Sequence, residues 1–123
     1  MKKFNILVLI KKMNIKGMTP QIHGQNIELN ARHIAYITKK LAVVEKIYQH
    51  ILFAKIDIIS NTHHKKGKII LVKAELVIPR KPIILAEEEV TTVEEGIDRV
   101  TDELKLQLRK LKEKQRQKRE RLS

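Results

Sequence analysis

Thr91 to Lys114 reads TTVEEGIDRVTDELKLQLRKLKEK, the longest unbroken helix signal in the chain. It holds no proline and one glycine, Gly96. Val93, Ile97, Val100, Leu104, Leu108 and Leu111 recur at gaps of three and four and lay one apolar stripe along a helix. Its first half is acidic and its second half basic, an order that suits the helix dipole. Such a helix needs a surface to cover, and the chain before it must supply that surface.

Upstream, residues 83–89, IILAEEE, read as a strand, and 79–82, PRKP, as a turn. Residues 69–78, IILVKAELVI, alternate as a strand, with Val72, Ala74, Leu76 and Ile78 inward. Residues 61–68, NTHHKKGK, make a polar hairpin loop. Residues 52–60, LFAKIDIIS, form another strand, with Leu52, Ala54, Ile56 and Ile58 pointing one way. Residues 31–48 form a helix with Asn30 as its N-cap. Ile34, Ile37, Leu41, Val44 and Tyr48 share one face of it. Residues 18–24, MTPQIHG, read as a first strand, with Pro20 at its edge.

The order β-α-β-β-β-α predicts an α+β fold of two layers. Three consecutive strands form an antiparallel meander within a four-stranded sheet, and two helices pack on one face. The expected core comprises Ile22; Ile34, Ile37, Leu41 and Val44; Ile56 and Ile58; Val72, Ala74 and Leu76; and Val93, Ile97, Val100, Leu104 and Leu108. The domain is expected over 18–114. Residues 1–17 are an N-terminal extension, whose apolar run is too short to span a bilayer and lacks a signal-peptide cleavage site. Residues 115–123 have no apolar stripe and are expected to be a disordered basic tail.

Only 3% of the 123 residues are aromatic, so the core must be aliphatic. There is no cysteine, which excludes disulfides, thiolate metal sites and cysteine nucleophiles. The net charge is +12, and an excess of that size implies a polyanionic partner, nucleic acid before an anionic membrane. The charge is uneven. Residues 1–85 carry sixteen Lys/Arg against four Asp/Glu, residues 86–104 one against eight, and residues 105–123 nine against two. An acidic belt thus lies between two basic regions.

Neither metal nor enzyme chemistry has a pattern to rest on. His63 and His64 are adjacent, but no carboxylate cluster joins them at ligand spacing. The acidic residues from Glu87 to Asp102 read as a solvated face at the favourable end of a helix dipole. No phosphate-binding glycine loop, HExxH or GxSxG is present. No cofactor is expected. The basic clusters are stronger: Lys65, Lys66 and Lys68 in one loop, and Lys105, Arg109, Lys110, Lys112, Lys114, Arg116, Lys118, Arg119 and Arg121 at the chain's end. Such groups neutralise phosphates. With few aromatics to stack on bases, recognition of a folded RNA by shape and backbone is favoured.

Three blocks of sequence resemble the ribosome hibernation promoting factor and ribosome-associated inhibitor A family. Ile22-His23-Gly24-Gln25-Asn26-Ile27-Glu28-Leu29 is similar to its opening strand and turn. Tyr36, Lys40, Leu41, Glu45 and Lys46 match its first-helix pattern. Ala86-Glu87-Glu88-Glu89, Gly96-Ile97-Asp98, Leu104, Gln107-Leu108-Arg109-Lys110 and Lys112 match its closing signature, in order and at the right separations. Glu103 and Leu106 stand where the family often has lysine and arginine, which removes two positive charges.

The resemblance implies the same β-α-β-β-β-α fold. It also implies a cytoplasmic protein that is not an enzyme, and that binds the small ribosomal subunit and its rRNA near the decoding centre. There it would occupy the path of mRNA and tRNA and keep ribosomes inactive in starvation or stationary phase. Arg109, Lys110, Lys112 and Lys114 would face rRNA. Lys39, Lys40 and Lys46 on the first helix join them, as do Lys65, Lys66 and Lys68 on charge alone. The chain stops at Ser123, short of the dimerisation domain of longer relatives. A short-type member is therefore expected, a monomer off the ribosome, with a second hibernation factor needed for ribosome dimers. Two other readings stay open: a general double-stranded RNA-binding or RNA-chaperone module, and a regulator whose acidic belt contacts a basic protein of the transcription machinery.

Overall fold

A computed structural model describes residues 20–61, 69–80 and 83–122. Its elements are β1 (Pro20–Gln25), α1 (Ala31–Ile47), β2 (Phe53–Asn61), β3 (Ile69–Val77), β4 (Ile84–Val90) and α2 (Val93–Leu122). The sheet order is β1-β2-β3-β4. β1 runs parallel to β2, with Pro20 beside Ala54, because α1 intervenes as a crossover. The β2–β3 and β3–β4 pairs are antiparallel, as expected for a meander. Both helices cover one face of this mixed sheet, giving the predicted two-layer α+β domain.

Alternation sets the inner face. Ala54, Ile56 and Ile58 of β2 and Val72, Ala74 and Leu76 of β3 are at most 1% exposed. Every expected core residue is buried except Ile22, which is half-buried on the edge strand β1. Ile51, Ile70, Ile78, Ile84, Ala86 and Val90 extend the core beyond that expectation.

Leu52 departs from the predicted alternation. It is 61% exposed and lies just before β2, where its N–H donates to the Val77 carbonyl at 2.8 Å. Ile51 turns inward instead, so the inside–outside alternation starts afresh at Phe53.

Both helix starts are capped by short polar side chains. Asn30 Oδ1 accepts from the His33 N–H at 2.9 Å, and His33 Nδ1 accepts from the Asn30 N–H at 3.3 Å, a reciprocal box. Thr92 Oγ1 accepts from the Glu95 N–H at 3.2 Å. Two threonines inside the helical layer keep their hydroxyls satisfied by donating one turn back, Thr38 to the Ile34 carbonyl and Thr101 to the Ile97 carbonyl.

α2 does not fray after Lys114. It continues through the stretch expected to be disordered, to Leu122. Propagating a helix is cheap once it is nucleated, and Gln, Lys, Arg and Glu are good helix formers. Arg116 reinforces the stretch by reaching Glu113 at 2.6 Å and Glu120 at 2.7 Å. Gln115 Nε2 donates to the Tyr48 hydroxyl at 3.2 Å, which ties this part of α2 to the end of α1. The predicted extension over residues 1–17 lies outside the described residues.

One acidic residue joins the helices. The Tyr36 hydroxyl donates to Asp98, and Lys40 Nζ sits 3.1 Å from the same carboxylate and 5.6 Å from the Tyr36 ring centroid. Nearby, His33 Nε2 lies 3.6 Å from Glu94. The Tyr36 hydrogen bond, with help from the Lys40 ammonium and against partial burial, holds the Asp98 carboxyl below its ordinary range. The hydrogen bond with Asp98 is the main cause that raises both the Tyr36 and the Lys40 pKa.

Gly96 sets how closely α2 lies on the sheet. A Cβ there would meet Val72 Cγ2 at 2.3 Å and Val90 Cγ2 at 2.8 Å. Gly96→Ala is expected to destabilise the domain by about 1–3 kcal/mol, despite alanine's better helix propensity. An unchanged or higher unfolding midpoint would contradict this packing. For Asp98, a depressed carboxyl pKa gives stability that is present above about pH 4 and lost as pH falls through the folded value. The raised Tyr36 and Lys40 values give stability that is lost only above about pH 10. Asp98→Asn should therefore cost about 1 kcal/mol between those limits, discounted for its half-exposed site. The gap to the wild type should close in acid. Chemical denaturation across pH measures it, and a gap that persists at pH 2 would contradict the ionic contribution.

Candidate nucleic-acid interface

The fold separates cations that are committed internally from cations that are free. Four acids of the predicted belt are engaged within the domain: Asp98 by Tyr36 and Lys40, Asp102 by Lys105 at 3.3 Å, Glu95 by Arg99 at 2.8 Å, and Glu94 beside His33. Glu103 accepts from Gln107 at 3.2 Å. Three of the belt's eight acids are thus ion-paired to Lys or Arg and a fourth lies beside His33, while the acidic residues of β4 lie apart from them.

The positive charge left over lies mainly on the helical layer. Arg109, Lys110, Lys112 and Lys114 are all exposed on the C-terminal half of α2. None of them has an ion pair or hydrogen bond with a described residue. They do not form one face. Arg109 and Lys112 are three apart and share one side of the helix, and Lys110 and Lys114 are four apart and share another.

On α1, Lys39 and Lys46 are exposed and seven residues apart, which aligns them on one outer ridge. Arg32, a further seven residues back, is exposed on the same ridge and was not among the expected contacts. The repeated spacing of seven in the sequence was the signal for it. Arg32 and Lys39 also border a shallow groove with Ala35, Tyr36 and Glu94. Lys40 differs from these. Its side chain is 31% exposed and its ammonium is held by Asp98, so it serves the helix–helix seam first.

Lys65, Lys66 and Lys68 lie outside the described residues. The strands that lead into their loop pair Asn61 with Ile69, close to the Ile70–Val90 pair where α2 begins. That is the end of the sheet opposite Arg109. Sixteen residues of helix separate Val93 from Arg109, a rise of about 24 Å. The strand ends Asn61 and Ile69 therefore lie at the far end of the sheet from the basic half of α2.

Beyond Lys114 the helix carries Lys118, Arg119 and Arg121, all exposed. Arg116 is committed to Glu113 and Glu120, and its contact with Glu113 lowers that carboxyl's pKa and raises its own. Among the described residues no group of three or more His, Asp or Glu could hold a metal ion. No described helix is long and apolar enough to cross a membrane. A groove on the open sheet face is lined by both signs of charge, from Lys55, Lys73, Asp57, Glu75 and Glu87.

Residues 21–116 match the model of the family described as Sigma 54 modulation protein / S30EA ribosomal protein. The span contains all three motif blocks. No curated protein matches the chain. Among solved structures it is similar to a ribosomal subunit interface protein from Coxiella burnetii, at 22% identity and a TM-score of 0.66 over 76% of this chain and 96% of that one. It is also similar to the Protein Y N-terminal domain of Thermus thermophilus, at 23% identity and a TM-score of 0.63 over 74% of this chain and 94% of that one. At such identities these likenesses concern the fold. The family match takes in the four strands, α1 and α2 as far as Arg116, and this chain belongs to the Sigma 54 modulation protein / S30EA ribosomal protein family.

Proposed function

We propose that this protein binds the small ribosomal subunit through the outer face of its helical layer and holds the ribosome inactive. The observation that carries the reading is the set of exposed cations on that face with no ion pair among the described residues: Lys39 and Lys46 of α1 with Arg109 and Lys112 of α2. Cations left free by an otherwise self-neutralised domain are suited to rRNA phosphates, whose counterions they displace. The similar Coxiella burnetii protein is described as a ribosomal subunit interface protein, which supports the same class of partner. The mode of inhibition would be steric. The domain would sit near the decoding centre in the path of mRNA and tRNA during starvation or stationary phase, with Lys110 and Lys114 also against rRNA. Lys65, Lys66 and Lys68 would join them on charge alone.

A general RNA-binding module would use the same cations without preferring ribosomes. A regulator that docks through its acidic belt is less well supported, because half of that belt's acids are engaged by the domain's own side chains.

In sucrose gradients of stationary-phase lysate the protein should co-migrate with ribosomal particles and leave them at high salt. Recovery only at the top of the gradient at low salt would refute ribosome binding. Replacing Lys39, Lys46, Arg109 and Lys112 by alanine should weaken binding to purified small subunits by about 100-fold. The salt dependence should become shallower by about 3 to 4 logarithmic units per unit. The same variant should relieve inhibition of cell-free translation. Full inhibition by it would move the binding surface elsewhere.

A further inference from the structure

The C-terminal half of α2 is basic on two sides. Arg109 and Lys112 lie on one. Lys110 and Lys114 lie on the other, three and seven residues beyond Gln107, and so share its face. Gln107 locates that face, because its Nε2 donates to the Leu85 carbonyl at 2.9 Å, on the outer edge of β4. α2 runs antiparallel to β4, since Gly96 lies against Val90 at one end and Gln107 against Leu85 at the other. Past Gln107 the helix carries Lys110 and Lys114 about 5 and 10 Å further along its axis. β3 pairs Leu76 with Ile84 and runs on through Val77 toward Arg80 and the β3–β4 turn, so it leaves the sheet at the end to which Lys110 and Lys114 are carried.

Arg80 stands in that turn, exposed, with a φ of 59°. That left-handed backbone favours glycine or asparagine and is uncommon for a long side chain. The conformation of the turn therefore does not explain an arginine. Arg80, Lys110 and Lys114 have no ion pair or hydrogen bond with any described residue, whereas Arg99, Lys105 and Arg116 on the same helix are all paired. Leu106 and Glu113, seven apart, occupy the strip of α2 between its two basic sides, so the sides are not one continuous positive surface.

We propose that Arg80, Lys110 and Lys114 form a second phosphate-binding ridge, so that α2 lies between two RNA backbones instead of beside one. The ridge takes the sugar–phosphate backbone of RNA, with no base readout, and it rests on the RNA-binding reading above. An α-helix with its side chains is about 10–12 Å across, too wide for the deep, narrow major groove of an A-form duplex, so phosphates gripped on its two sides belong to separate RNA helices.

The test uses the full chain at low salt with two 12-base-pair RNA duplexes, one carrying a donor dye and the other an acceptor. One chain of wild type should hold two duplexes, seen as energy transfer and as a one-to-two complex by analytical ultracentrifugation. The R80G/K110A/K114A variant should hold one duplex and give no transfer, and so should K39A/R109A/K112A. R80G alone should leave the unfolding midpoint unchanged or raised, because glycine suits the turn, while weakening the second duplex. With small subunits, the R80G/K110A/K114A variant should show a salt dependence shallower by about 2 to 3 units. Wild type that saturates with one duplex, a complex containing two chains, or undiminished transfer in R80G/K110A/K114A would overturn the second ridge. Tight small-subunit binding without bridging would sink the ridge and leave the ribosomal reading standing, and bridging without small-subunit binding would do the reverse.

Discussion

The close approach of α2 to the sheet at Gly96 is the contact on which the rest of the domain depends. With no Cβ, the helix settles onto Val72 and Val90, and Ile97, Val100, Leu104 and Leu108 then follow into the core in sequence. That first contact, together with the Gln107 tether to Leu85, fixes the direction of the helix along β4. Direction matters because the helix is electrically divided. Its acidic turns are laid beside α1 at one end of the sheet, and its basic turns are carried to the other end. A helix reversed on the same sheet would bury the same stripe and lose the seam with Tyr36 and Lys40.

Across that seam Asp98 and Glu94 reach α1, while Asp102 and Glu95 pair with Lys105 and Arg99 on α2 itself. Asp98, Asp102, Glu94 and Glu95 are each engaged by a neighbour. Individually these half-exposed pairs contribute little stability. Their larger effect is distributive. They occupy Lys40, Arg99 and Lys105 with carboxylates and leave Arg32, Lys39 and Lys46 of α1 and Arg109, Lys110, Lys112 and Lys114 of α2 as cations a polyanion would meet. Positive potential is thereby concentrated on the outer helical face, while the open face of the sheet carries both signs.

Much of the fold was legible because periodicity reports it directly. The alternation of β2 and β3, the stripe of α2 and the Asn30 cap each follow from neighbours close in sequence. Leu52 was misplaced because alternation is blind to a chain that has not yet entered its strand. The tail from Gln115 was expected to fray because it lacks an apolar stripe, and local ion pairs around Arg116 do not register in hydrophobic patterning. The candidate site was less legible. Charge alone made Lys39 and Lys40 equivalent, yet one is free and the other is held by a residue far away in sequence, Asp98. Charge alone also made the cations of α2 one cluster, where the helix divides them between two sides.

The length of α2 gives those two sides their reach. Its contacts with the body of the domain reach the hydrogen bond between Gln115 and Tyr48, and Lys118 to Leu122 lie beyond it with every side chain exposed. No apolar burial holds this last stretch in shape. Local propensity and the charge-assisted bonds of Arg116 do so, and both are modest. Salt that screens Arg116 from Glu113 and Glu120 also screens Lys118, Arg119 and Arg121 from one another. In low salt the helix end is braced by its ion pairs but opposed by crowded cations, and an adjacent phosphate backbone would relieve that crowding without competing for the braced arginine. The geometry of the arm and its affinity for a polyanion are therefore coupled: the ligand that neutralises the free cations also removes the main electrostatic force that opposes the helix.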